Sequence, residues 1–124
     1  MNPRSILIVD DNEDYAELTA DVLRLGGHRV SIAGTGTSAI ALAATIQPEV
    51  VLLDLNLPDL DGYQVARLLR PVLPAATPII VVTAHRQPRA VDEVDLILSK
   101  PVETDLFSGL IEYVCRRRRT VSLQ

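Results

Sequence analysis

The segment Ser5-Ile6-Leu7-Ile8-Val9-Asp10-Asp11 (residues 5–11) puts four apolar residues in a row and ends them on two carboxylates. The run is continuous rather than alternating, so it reads as a strand buried on both faces, as in a parallel sheet covered by helices. Val50-Val51-Leu52-Leu53 and Ile79-Ile80-Val81-Val82 repeat the pattern. Weaker runs at Arg29–Ala33 and Asp95–Ser99 bring the expected strands to five. Helical patterns lie between them. Asp14–Leu25 carries Ala16, Leu18, Val22, Leu23 and Leu25, then stops at Gly26-Gly27. Thr37–Ile46 precedes Pro48, and Tyr63–Leu69 precedes Pro71. Glu103–Arg119 offers Leu106, Phe107, Leu110, Ile111 and Val114 as an inward face. Strands alternating with helices predict an α/β fold. The expected form is a doubly wound, five-stranded parallel sheet flanked by helices, flavodoxin-like and (βα)5 in order.

Size and composition agree with one domain. The chain has 124 residues, 48% of them hydrophobic, enough for a buried core. Its net charge of −4 argues against direct nucleic-acid binding by the domain. No apolar stretch approaches the roughly 20 residues of a membrane span, and Ile6–Val9 is too short for a secretory signal. The expected location is cytoplasmic. Cys115 is the only cysteine and reads as a packing residue. Arg116–Arg119 reads as a cationic helix C-terminus complementing the helix dipole. The expected limits are a domain over residues 1–119 and a tail over 120–124.

In open α/β sheets, ligands bind at the carboxyl ends of the strands. Asp10 and Asp11 follow the first strand, Asp54 the third, Thr83 ends the fourth and Lys100 follows the fifth. Two like charges roughly 4 Å apart repel by about 4 kcal/mol at an effective dielectric of about 20. Three gathered carboxylates therefore call for a counter-charge or raised pKa values. Hard oxygen ligands suit Mg²⁺, with Mn²⁺ an alternative. Lys100 adds a compact ammonium, and it is the only lysine in the chain. A carboxylate, a cation, an ammonium and a hydroxyl suit phosphoryl transfer, with Asp54 as the acceptor.

The segments ILIVDDNEDY, VVLLDLNLPDLDGYQVARLLR, IIVVTAH and LILSKP resemble the receiver domain of bacterial two-component response regulators. The similarity runs from Ile6 to about Val114. The resemblance implies a cytoplasmic signalling phosphoacceptor, phosphorylated on Asp54 by a histidine kinase or phosphotransfer protein and answering to an unknown downstream protein. It is not a turnover enzyme; at most it transfers and loses its own phosphoryl group. The resemblance also implies Mg²⁺ bound by Asp11 and Asp54, by the Asn56 carbonyl and, through water, by Asp10. It makes Thr83, Ala84 and Lys100 the phosphoryl-sensing residues and Lys100-Pro101 a cis bond. Pro58 and Gly62 match the loop after the acceptor. Asn56 and His85 fall where the lifetime of the phosphorylated state is tuned.

Two positions depart from that family. The switch position three residues before Lys100, usually aromatic, is Ile97. The stretch from Thr83 to Lys100 is short by more than a helical turn, which predicts a shortened fourth helix around Pro88–Val94. Both departures fall on the surface many receivers use for dimerisation, and they raise the alternative of a phosphorylation-independent interaction module. An aspartyl-phosphate phosphatase would need a second aspartate where Asn56 stands. A nucleotide-binding flavodoxin-like protein would need a Gly-rich loop after the first strand.

Overall fold

The computed structural model describes residues 3–122. The elements run β1 (Ser5–Val9), α1 (Glu13–Leu25), β2 (Arg29–Ala33), α2 (Gly36–Ile46), β3 (Val50–Leu53), α3 (Gly62–Leu69), β4 (Ile79–Thr83), β5 (Leu96–Ser99) and α4 (Thr104–Ser122). All five strands are parallel, in the order β2-β1-β3-β4-β5. Successive strand residues point to opposite faces. Ile6, Ile8, Leu52, Ile80 and Val82 pack with Ala16, Ala20 and Leu23 of α1 and with Phe107 and Ile111 of α4. Leu7, Val9, Val51, Leu53 and Ile79 pack with Ala39 and Ala43 of α2 and with Val65 and Leu69 of α3. Two covered faces explain why the strands are apolar without alternation.

Local signals set the helix ends. Asn12 caps α1 by accepting from the Tyr15 N–H, and Glu13 and Asp14 occupy its first turn. Thr35 with Ser38 and Asp61 with Gln64 form capping boxes on α2 and α3. Gly27 leaves α1 at φ 95°, a left-handed turn that favours glycine.

The helical stripes are narrower than the apolar composition implies. Leu18, Leu25, Leu68 and Leu106 are exposed. In α1 the inward face is Ala16, Thr19, Ala20 and Leu23, and small residues let the helix lie close to the sheet. Leu18 and Leu25, seven residues apart, share the outer face. Cys115 is buried in the core between α1 and α4, and burial pushes its thiol up to about 11. Of the arginine run, Arg118 ties back to the body, bonding Asp95 at 3.0 Å and the Ala75 carbonyl at 2.8 Å. The expected boundary after residue 119 falls inside α4, which runs to Ser122. Residues 123 and 124 lie outside the described residues.

Residues 84–95 contain turns and no helix, so among the described residues four helices accompany five strands. The shortening anticipated at Pro88–Val94 goes to completion. Pro88 lacks an N–H and disfavours helical geometry at Gln87, and a dozen residues barely span a parallel crossover. Side chains take over what a helix would satisfy. His85 N–H donates to Thr83 Oγ1 (3.1 Å), Gln87 N–H to His85 Nδ1 (3.3 Å) and Arg89 N–H to Tyr63 Oη (2.6 Å). Ile97 of β5 is only half-buried, with no covering helix on its face of the sheet, while Leu96 and Leu98 point to the other face and pack at the rim of the core shared by α1 and α4.

Candidate functional site

The strand order reverses between β1 and β3, and the first residues beyond both strands are aspartates. Backbone bonds fix both positions: Asp10 N–H donates to Ala33 O, and Asp54 N–H donates to Val9 O. Asp10 and Asp54 are buried and Asp11 is exposed. One oxygen from each lies within 4.8 Å of the others.

Lys100, placed by its N–H bond to Thr83 O at 2.9 Å, reaches into this group. Its ammonium bonds Asp10 Oδ2 at 2.8 Å and Asp54 Oδ2 at 3.1 Å. The other carboxylate oxygens take backbone donors, Asn12 N–H on Asp10 Oδ1 (3.0 Å) and Asn56 N–H on Asp54 Oδ1 (3.3 Å). Burial pushes the Asp10 carboxyl above the usual range, against the Lys100 and Asn12 hydrogen bonds, and the Asp54 charge adds to the rise. Burial also works against the Lys100 charge, but bonds to Asp10 and Asp54 outweigh it and raise its pKa.

Three carboxylates face one ammonium, so two negative charges stay uncompensated. The donors are hard oxygens, and one of the three aspartates opens to solvent. Such a set fits a small divalent cation.

The loop after β3 is folded back on itself. Asn56 pairs with Asp61 as an isolated antiparallel bridge, and Gly62 N–H donates to Leu55 O. A Cβ on Gly62 would overlap Leu55 Cα and stand 2.9 Å from Asp54 O, so only glycine lets α3 start this close to the acidic site. Pro58 and Asn56 are exposed. The next residue, Asp59, accepts from Gly36 N–H (2.8 Å), Thr37 N–H (2.9 Å) and Thr37 Oγ1 (2.7 Å). Those bonds, the Thr37 hydroxyl's foremost, lower its carboxyl to about 2.

Asp10, Asp11, Asp54 and Lys100 thus converge. Thr83 is fully buried at the end of β4, with its hydroxyl bonded to His85 N–H. Ala84 and His85 are exposed beside it. Ile97 sits within β5 opposite Val81, and Lys100-Pro101 is cis. Sequence reasoning passed over two side chains here. Tyr15 sets its ring 4.3 Å from the Lys100 ammonium, one helical turn past the acidic pair, and that spacing was the available signal. Asp59, in a loop rich in aspartate, gave no signal that it caps α2.

Among the described residues no helix is long and apolar enough to cross a membrane. The family profile for the response regulator receiver domain matches residues 6–111. The DNA-binding response regulator MtrA of Mycobacterium tuberculosis H37Rv is 36% identical over 111 residues, covering 90% of this chain and 43% of that protein. The probable transcriptional regulatory protein TcrX of the same strain is 42% identical over 82 residues, covering 66% of this chain and 35% of that one. The chain therefore spans less than half the length of these curated relatives.

Among solved structures, the N-terminal domain of a response regulator/sensory box/GGDEF three-domain protein from Carboxydothermus hydrogenoformans superposes with a TM-score of 0.82 at 26% identity. It covers 94% of this chain and 98% of that one. A CheY-like receiver domain from Methanospirillum hungatei gives 0.83 at 23% identity, over 96% and 98% of the two chains, a likeness of fold alone. The matched span runs from Ile6 in β1 into the first turns of α4, and takes in all four converging side chains: the chain belongs to the response regulator receiver domain family.

Proposed function

We propose that this domain accepts a phosphoryl group on Asp54, delivered by a histidine kinase or phosphotransfer protein. The observation that carries the proposal is the Lys100 ammonium, shared between Asp10 and Asp54 inside an acidic triad at the switch point of the sheet. A carboxylate oxygen of Asp54 attacks the phosphorus of a phosphohistidine. The new O–P bond forms as the P–N bond breaks, and the imidazole leaves with the bonding pair. Lys100 then exchanges a carboxylate oxygen for a phosphoryl oxygen, and the Thr83 hydroxyl donates to another.

Asp10, Asp11, Asp54 and the Asn56 carbonyl would hold Mg²⁺, with Mn²⁺ able to replace it. The metal supplies neutralisation of the phosphoryl charge. Ala84 keeps the approach beside Thr83 free of bulk, and Asn56 and His85 flank the product and tune its lifetime. The chemistry is confined to the domain's own carboxylate, so no external substrate turns over.

The phosphorylation-independent reading is the weaker one, because every charged group needed for the chemistry is in place. What the lost helix and Ile97 change is the downstream surface, which addresses a protein not yet identified. The test is intact-mass spectrometry after incubation with a small acyl phosphate and Mg²⁺. A single phosphoryl adduct is expected, absent with chelator and absent in Asp54→Asn. An adduct that persists in Asp54→Asn, or none in the native chain, rejects the proposal.

A further inference from the structure

Four residues close a ring of contacts at the site. Asp10 Oδ1 accepts the Asn12 N–H (3.0 Å), and Asn12 Oδ1 accepts the Tyr15 N–H (3.1 Å). The Tyr15 ring faces the Lys100 ammonium (4.3 Å), and Lys100 returns to Asp10 Oδ2 (2.8 Å). The α1 cap thus places Tyr15 against the one cation of the site. The ring is half-buried and packs against the core shared by α1 and α4.

A divalent cation held at the acidic triad would draw on Asp10 and Asp54, the two carboxylates that anchor Lys100. An ammonium held by carboxylates alone would lose its anchors as the site loads. An aromatic face attracts an ammonium but offers a hard cation no oxygen. We propose that Tyr15 is a positioning residue for Lys100, one that would keep its ammonium at Asp54 with the triad loaded by a divalent cation. This inference rests on Asp54 being the phosphoacceptor.

Lys100 is the only lysine, so ¹³C-lysine labelling of the full chain yields one ε-methylene signal. In the native protein and in Tyr15→Phe the ring shifts this signal upfield, and the shift persists on adding Mg²⁺. In Tyr15→Leu it is lost. Phosphorylation by a small acyl phosphate at saturating Mg²⁺ slows about three- to thirty-fold in Tyr15→Leu, with Mg²⁺ affinity by calorimetry within about two-fold of native, and Tyr15→Phe restores the rate. Tyr15→Met serves as the second apolar variant should Tyr15→Leu not fold.

Equal phosphorylation rates in all variants, or an upfield shift that vanishes with Mg²⁺ in the native protein, overturn the inference alone. A Tyr15→Phe variant as slow as Tyr15→Leu also overturns it, since the hydroxyl and not the ring face would then matter. A native protein that forms no Asp54 adduct overturns the phosphoacceptor reading, and this inference falls with it.

Discussion

Arg89 and Tyr63 meet twice: the Arg89 N–H donates to Tyr63 Oη at 2.6 Å, and its guanidinium lies 4.4 Å from the centre of the Tyr63 ring. Tyr63 is the second residue of α3, next to Gly62, so this pair fastens the helix-free segment 84–95 to the element that follows the acceptor loop. Tyr63→Phe removes the acceptor and keeps the ring. The expected loss is about 1 kcal/mol or less of stability. Hydrogen exchange should rise at Arg89 and its neighbours, with Asp54 phosphorylation unchanged. Unaltered exchange across 84–91 would show that other contacts hold the segment.

Gly62→Ala should be costly for a different reason. The added methyl overlaps Leu55 Cα, and the backbone of two elements must separate to admit it. Destabilisation of about 1–3 kcal/mol is expected in denaturant unfolding. Asp54 is the residue just before Leu55, so phosphorylation should slow as well. A variant with native stability and native rate would place the start of α3 farther from the β3 loop.

Both pairs bear on what the sequence could say in advance. β1, β3 and β4 were readable because burial on two faces forces continuous apolar runs, as at Ile6–Val9, whereas the edge strands β2 and β5 are only half-buried and left weaker runs. Four helices were readable in extent, while the one expected around Pro88–Val94 is absent; orientation was not readable, since Leu18 and Leu25 looked like core and face solvent, because Ala16 and Ala20 made the close contact. The converging site residues were readable because each follows a strand, and parallel strands deliver their ends to one edge. The ties made by Tyr15, Tyr63 and Asp59 depend on which loop lies over which helix, and no local pattern in one segment encodes that.

Divalent metal should stabilise the fold through the same charges that gather the ligands. With two negative charges uncompensated, Mg²⁺ at about one hundred times its dissociation constant adds about 2.7 kcal/mol. The expected result is a higher Tm with Mg²⁺ in the native chain and a much smaller rise in Asp54→Asn and Asp11→Asn. Without metal, Asp11→Asn should melt above the native chain, since it removes one of three repelling charges. Equal Mg²⁺ responses in native and variant proteins would exclude the triad as the binding site.

Asp59 links the acceptor loop to α2, and its pH response has a defined sign. Its carboxyl is held down to about 2, chiefly by the hydrogen bond from the Thr37 hydroxyl and then by the N–H groups of Thr37 and Gly36. Its stabilisation is therefore present above the ordinary carboxylate value of 3.8 and is lost as pH falls toward 2. Asp59→Ala should lower Tm at neutral pH and speed amide exchange at Gly36 and Thr37. The gap to the native chain should close in acid. A constant gap from pH 6 to about pH 2 would mean the carboxylate charge is not what holds α2.

His28 works at milder pH. Its Nδ1 accepts the Arg4 N–H at 3.0 Å, so the ring proton sits on Nε2, which is buried and has no hydrogen-bond partner among the described residues. Burial lowers the pKa of the imidazole, Glu112 and Glu49 work the other way, and Arg4 adds to the lowering. The folded chain thus resists a proton that the unfolded chain accepts at its ordinary value of 6.5. Stability from this residue is full above 6.5 and is lost as pH falls below it, at no more than about 1.4 kcal/mol per pH unit. His28→Asn keeps an acceptor near the Arg4 N–H and cannot titrate. Its stability should be flatter than the native chain's between about pH 6.5 and pH 5, before the carboxylates begin to protonate. Parallel curves for the two proteins in that window, measured by urea unfolding, would show that His28 takes up its proton without disturbing the β1–β2 edge.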